Sequence, residues 1–248
     1  MATIQQIEQM RERITDEIFA AFGIHRNHPI RRHFGNLFYR PTQRFSELMT
    51  LVDEETRTGG LPAGARSIMN SLNISTSVTG RENIPLTGPV LVVSNHPGAY
   101  DSAALAMNIP RPDLRIIVSE TGFYHTLPHI GQHLIYVSHG DEQRMLALRQ
   151  AIQHLQQGGA ILQFGTGTIE PDPAYAPIEQ IPLSQWSRSI EIMLRKAHET
   201  TLVLASASGV LLKKYLGHPL IRLRRKPVDR LRIAEFFQVI AQLMHPEH

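Results

Sequence analysis

Apolar positions change their period near residue 72. Before it, Ile4, Ile7, Ile14, Ile18 and Phe22 recur close to the 3.6-residue repeat of an amphipathic helix, with Thr3 placed to cap it and Gly23 to stop it. A second helix is predicted from a Thr42 cap through Phe45, Leu48, Met49 and Val52, ending before Gly59-Gly60. Between them, Arg31 to Arg40 mixes Phe34, Leu37, Phe38 and Tyr39 with Arg31, Arg32 and Arg40. Aromatic residues at helical spacing predict packing on the domain behind. The same composition would also suit a surface that dips into lipid.

Beyond residue 72 short β-rich runs follow one another: Ile74–Val78, Val90–Val93, Leu114–Val118, Leu134–Val137, Ala160–Phe164 and Thr201–Ala205. Helical patterns fall between them. Asp141 can cap a helix with Met145, Leu148, Ile152 and Leu155 on one face, closed by Gly158-Gly159. Ser184 can start another through Ile190, Met193 and Leu194, and a last helix runs near Val228–Met244. Strands alternating with helices predict an α/β fold with a mixed, largely parallel sheet flanked by helices. Residues 1–72 form the N-terminal helical segment of this reading, and 73–248 its α/β domain.

The 248 residues are 42% hydrophobic and 19% charged, which excludes a disordered or fibrous chain. The chain has no Cys, so thiolate metal sites, iron–sulfur ligation and a cysteine nucleophile are excluded. A net charge of +3 gives no reason to expect a nucleic-acid partner. The positive charge is nevertheless uneven: Lys213, Lys214, Arg222, Arg224, Arg225, Lys226, Arg230 and Arg232 crowd one stretch against Asp229. Such a run reads either as a solvated face or as a surface for an anionic membrane or a phosphate-bearing ligand. No run approaches the roughly 18 apolar residues of a membrane span, and residues 1–6 lack the order of a signal peptide. A cytoplasmic protein is expected, with peripheral contact at the inner face of an anionic membrane.

In parallel α/β sheets chemistry gathers beyond the carboxyl ends of the strands. The run Val90–Val93 leads into Ser94-Asn95-His96-Pro97-Gly98-Ala99-Tyr100-Asp101. In a continuous helix, positions five apart lie on different faces. Pro97-Gly98 breaks that regularity, and a turn there can return the Asp101 carboxylate to the His96 imidazole. Such a pair fixes the ring tautomer and stabilises the imidazolium, leaving the other nitrogen to take a proton from a hydroxyl. The alternative is a turn in which Asn95 and Asp101 cap the following helix. No G-x-S-x-G nucleophile signature occurs, so the target of a His96 base would be the substrate itself.

The block Val92 to Ser102 resembles the first block of the glycerolipid acyltransferases, the glycerol-phosphate and lysophosphatidate acyltransferases with their H-x-x-x-x-D signature. The resemblance implies an acyl thioester donor, either acyl-CoA or acyl-ACP, as a co-substrate with no further cofactor. It implies a lyso-lipid or other lipid alcohol as acceptor, and a place in phospholipid biosynthesis. His96 would be general base and Asp101 its orienting partner. Phe164-Gly165-Thr166-Gly167-Thr168 is similar to the family's third block, F-P-E-G-T-R-S, and Pro128-His129-Ile130-Gly131 to the approach to its second. Asn95, Ser138, Phe164, Gly165, Thr166, Gly167 and Thr168 are the candidate substrate-binding residues on this reading. Backbone N–H groups of the Gly-Thr-Gly-Thr turn can meet an anion or oxyanion; an ordinary tight turn is the alternative.

The differences fall on ligand-binding positions. Thr166 stands where the family has glutamate, Ile169 where it often has arginine, and Ser138 where the second block ends in an arginine. Two missing cations weaken phosphate binding, since bidentate arginine contacts are the strong ones. The resemblance, over about residues 75–210, therefore supports the reaction type and leaves the acceptor open. A non-catalytic lipid- or acyl-carrier-binding protein on the same fold is the alternative function, and a thioester hydrolase a third.

Two further groups of titratable residues stand out. His125, His129 and His133 recur every four residues beside His139, but Pro128 interrupts a helix there and no carboxylate completes a ligand set, so no metal is expected. Glu170 and Asp172 read as part of a solvated Pro-rich loop, or, for Glu170, as a replacement for the missing glutamate.

Overall fold

The computed structural model describes residues 4–21, 24, 28, 30–138, 140–176, 183–219, 221 and 226–245. Two long helices open the chain, α1 (Ile4–Ala21) and α2 (Ile30–Ser71). Five strands follow, β1 (Val90–Ser94), β2 (Arg115–Ser119), β3 (Leu134–Val137), β4 (Ala160–Phe164) and β5 (Thr201–Ala205). Between and after them lie α3 (Asp101–Asn108), α4 (Pro128–Gly131), α5 (Asp141–Gln156), α6 (Ser189–Lys196), α7 (Lys213–Leu216) and α8 (Pro227–Met244).

The sheet order is β3-β2-β4-β1-β5, and every pairing is parallel. β1 and β4 sit side by side in the interior and are buried along their whole length. The apolar run of β1, and that of β4 broken only by Gln163, are what strands covered on both faces require. On one face Val90, Val92 and Leu162 meet Met10 and Ile14 of α1, Met49, Val52 and Leu61 of α2, and Ala106 of α3. On the other, Leu91, Val93 and Ile161 meet Ala147, Ala151 and Leu155 of α5 and Met193 of α6. The N-terminal helices thus share a core with the sheet. Because Ser94 pairs with Phe164, the loops leaving β1 and β4 are neighbours.

Several local expectations shift. Thr42 lies inside α2 instead of capping a helix, and its hydroxyl donates to the Phe38 carbonyl at 2.7 Å. α2 passes the glycines and kinks at Gly60, where φ is 69°. A Cβ there would also sit 3.1 Å from the Pro112 carbonyl oxygen, so glycine is needed. Ile74–Val78 forms no strand: its Ser and Thr side chains stay exposed and Ile74 is its one partly buried apolar residue, so no face repays pairing. α5 is capped by Gly140, with Asp141 in its first turn, and buries Ala147, Ala151 and Leu155 while Met145 is exposed. α6 begins at Ser189, after a 3-10 turn at Leu183–Gln185. In the aromatic-basic segment, Phe38 packs edge-on against Phe19 and tilted against Phe236, whereas Leu37 and Tyr39 are exposed. The Thr3 and Gly23 signals, His139, and Arg222, Arg224 and Arg225 lie outside the described residues.

Candidate active site

The turn after β1 brings the predicted pair together. His96 Nδ1 lies 2.7 Å from Asp101 Oδ2, and the same oxygen accepts the Gly98 N–H at 3.1 Å. Asp101 opens α3 as the acidic residue of its first turn, where the helix dipole favours a carboxylate. It is fully buried, while the His96 side chain is 25% exposed. Nε2 of His96 has no hydrogen-bond partner among the described residues. The ring lies on Phe164, at the end of β4, with centroids 4.3 Å apart and planes 23° from parallel. Sheet register causes this stacking, since Phe164 pairs with Ser94, two residues before the histidine.

Burial alone would lower the His96 pKa, but the hydrogen bond and charge of Asp101, with the charges of Glu235 and Glu170, outweigh it and raise it above the ordinary histidine value. Burial raises the Asp101 carboxyl, and the imidazole and the backbone N–H groups of Gly98 and Ser102 pull it part of the way back.

Asn95 turns away from this pair. Its amide donates to the Ala207 carbonyl at 2.9 Å and accepts the Ala207 N–H at 2.8 Å, fastening the loop after β5 to the end of β1. In the turn after β4, Gly165 N–H donates to Ser94, Gly167 N–H to the Phe164 carbonyl, and Thr168 N–H to Thr166 Oγ1. Those three donors are therefore taken by the protein. Gly165 is demanded by packing, since a Cβ there would lie 2.3 Å from the Trp186 indole. Ser138 follows the edge strand β3, three places from β1 and so about 14 Å across the sheet. Its hydroxyl donates to Glu120, which also meets His125 at 3.2 Å.

Glu170 and Asp172 correct the reading of a solvated loop, because both are buried. Asp172 accepts N–H groups from Ala174, Gly209, Val210 and Leu211, at 2.8 to 3.3 Å, and so ties its own loop to the 209–211 stretch. Glu170 N–H donates to the His96 carbonyl at 2.7 Å. Its Oε1 meets Thr166 Oγ1 at 2.8 Å, while Oε2 is buried with no partner among the described residues. Burial raises the Glu170 pKa more than Thr166 and His96 lower it. The histidines at 125, 129 and 133 do not converge. His133 Nδ1 meets the Leu114 carbonyl, and the His129 and Ile130 N–H groups donate to Asp53. Among the described residues no group of three His, Asp or Glu is placed to hold a metal ion.

A His–Asp pair at the end of an interior parallel strand, its carboxylate buried and its ring partly open, with a second buried carboxyl beside it, is a site for moving a proton. The acyltransferase family model matches residues 75–216, more than half of the chain, and includes both residues of this pair. The chain belongs to the acyltransferase family. A comparison with curated proteins returns no match. Among solved structures, the acyltransferase is similar to the 1-acyl-sn-glycerophosphate (LPA) acyltransferase PlsC from Thermotoga maritima. Identity is 14%, over 96% of this chain and 95% of that one, with a TM-score of 0.40.

The family match stops short of α8, and the sequence reading placed a helix there without a site residue on it. Glu235 on that helix and the Tyr100 hydroxyl both reach the site. Glu235 couples electrostatically to His96 and Asp101, and Tyr100 to Glu235. The signal was present in the sequence: a lone carboxyl in the apolar run Ile233-Ala234-Glu235-Phe236-Phe237.

Proposed function

We propose that this acyltransferase moves a fatty acyl group from a thioester, acyl-CoA or acyl-ACP, to the hydroxyl of a lyso-lipid or other lipid alcohol. The observation that carries the reading is the 2.7 Å contact of His96 Nδ1 with Asp101, which leaves Nε2 available. Asp101 holds the proton on Nδ1, so Nε2 is the basic nitrogen. As the acceptor oxygen attacks the thioester carbonyl, Nε2 takes its proton. The carbon–sulfur bond then breaks, and the same proton returns to the departing thiolate. No acyl-enzyme is needed. Phe164 supports the ring, and Asn95 and the Gly165–Thr168 turn hold the surrounding loops in place.

The acceptor on this reading depends less on a phosphate than in typical members of the family, because Ser138 and Ile169 replace the two expected arginines and Ser138 is engaged with Glu120. Among the described residues no helix is long and apolar enough to cross a membrane. The exposed Lys213, Lys214, Lys226, Arg230 and Arg232 support peripheral contact with an anionic bilayer at its cytoplasmic face. Thiol release from an acyl thioester, measured with a panel of lyso-lipids and uncharged alcohols, tests the reaction. His96→Ala should reduce release about 10²–10⁴-fold with the fold intact. Activity surviving within a small factor refutes the mechanism. Unchanged ligand binding with no thiol release in the parent chain would identify a lipid- or carrier-binding protein instead.

A further inference from the structure

α8 lies outside the family-matched region, yet it closes one side of the site. Gln238 is buried on it, accepts the Leu212 N–H at 2.7 Å and donates to the Val210 carbonyl at 2.8 Å. Val210 in turn abuts Gly98, in the turn between His96 and Asp101. Val239 belongs to the apolar cluster around Tyr100. Glu235 is three residues before Gln238 and four before Val239, so it shares their face and points toward the same turn. Its carboxyl has no hydrogen-bond partner among the described residues. The Tyr100 hydroxyl is buried with no partner among the described residues either, in a residue 7% exposed. An unpartnered buried hydroxyl is costly, and a substrate oxygen would satisfy it.

We propose that Glu235 is a specificity-determining residue of the acceptor site, selecting a hydroxyl whose neighbouring group is uncharged over one that carries a phosphate beside it. The inference rests on the acyltransferase reading. Three carboxyls, Asp101, Glu170 and Glu235, surround His96, and the cation on the same helix face as Glu235 is Arg232. A phosphate next to the reacting hydroxyl would lie among these groups. The phosphates of a coenzyme or carrier donor lie a full pantetheine arm away and escape the effect. Burial, with the charge of Asp101, pushes the Glu235 pKa up to about 7 against the pull of His96 and Arg232. The discrimination therefore strengthens as pH rises through neutrality and Glu235 ionises. Among the described residues the groups facing it are His96, Asp101, Tyr100 and Arg232, with Glu170 and Tyr215 beyond them.

The test compares kcat/KM for lysophosphatidate and for an uncharged monoacylglycerol between about pH 6 and 8, in the parent chain, Glu235→Gln and Glu235→Leu. The parent should prefer the uncharged acceptor. Both variants should narrow that preference about tenfold at the upper pH, the effect of one unit charge some 8 Å away at an effective dielectric of about 30. They should also reduce its pH dependence to the part owed to the phosphate's own ionisation. An NMR titration of His96 provides a second readout, in which its apparent pKa should fall in Glu235→Gln. An unchanged acceptor ratio, or a parent preference for lysophosphatidate, overturns the inference while leaving the acyltransferase intact. No transfer to either acceptor in the parent, with the titration shift present, removes the acyltransferase reading and this inference with it.

Discussion

Asp101→Asn tests the His96 pair most sharply, because it keeps shape and removes charge. Asp101 Oδ2 serves two donors at once, the His96 ring and the Gly98 N–H. An asparagine oxygen in that place can still accept both, but its NH₂ then takes the place of Oδ1, which is buried with no hydrogen-bond partner among the described residues. The flipped amide presents a donor to the Gly98 N–H and forces the proton off Nδ1, onto the nitrogen that must act as base. In the first arrangement the tautomer survives and the charge is lost. Imidazolium and carboxylate centres about 4 Å apart interact by about 4 kcal/mol at an effective dielectric near 20. With about half the proton charge developed in the transition state, about 2 kcal/mol is lost, or about 30-fold in rate. The flipped population lowers it further, still short of the loss in His96→Ala, since Asp101 acts through His96. A pH profile separates this from misfolding. Activity requires a neutral imidazole, so kcat/KM rises with pH through the His96 pKa, which stands above the ordinary histidine value. Without the carboxylate that pKa falls, so the acid limb should move to lower pH while the plateau drops. A plateau within threefold of the parent, with the acid limb unmoved, would refute the argument.

Asp172→Ala should lower stability by about 3 kcal/mol or more, measured by denaturant unfolding, because four N–H groups lose their shared buried acceptor; it should lower activity too, since the 209–211 loop borders Gly98 through Val210. Binding to anionic vesicles should be salt-sensitive and binding to neutral ones weak, at about 1 kcal/mol per basic residue near the surface. Replacing Arg222, Arg224, Arg225 and Lys226 with Gln should reduce it in co-sedimentation, and equal partitioning onto neutral vesicles would mean that apolar insertion dominates.

Five of the six predicted strands and the His96–Asp101 pair were legible in the sequence, and for one reason: their determinants are local. A run such as Val90–Val93 carries its own burial requirement, and Pro97-Gly98 forces the turn that returns Asp101 to the imidazole within six residues. Where a segment's apolar content depended on a distant partner, local pattern misled. Ile74–Val78 has strand composition without a face to bury, and Met145 has helical spacing on the side of α5 that faces away from the sheet. The tertiary structure alone decided which groups share the site. Parallel pairing of β1 with β4 set Phe164 under His96, and the loop after β4 folded inward to bury Glu170 and Asp172, which read from composition as solvated. The same pairing left Ser138 at the far edge of the sheet. Glu235 comes from a helix 134 residues beyond Asp101. No spacing rule connects the two; Gln238 bonding to the 210–212 loop and Val239 packing in the cluster around Tyr100 bring the carboxyl within electrostatic reach of the imidazole.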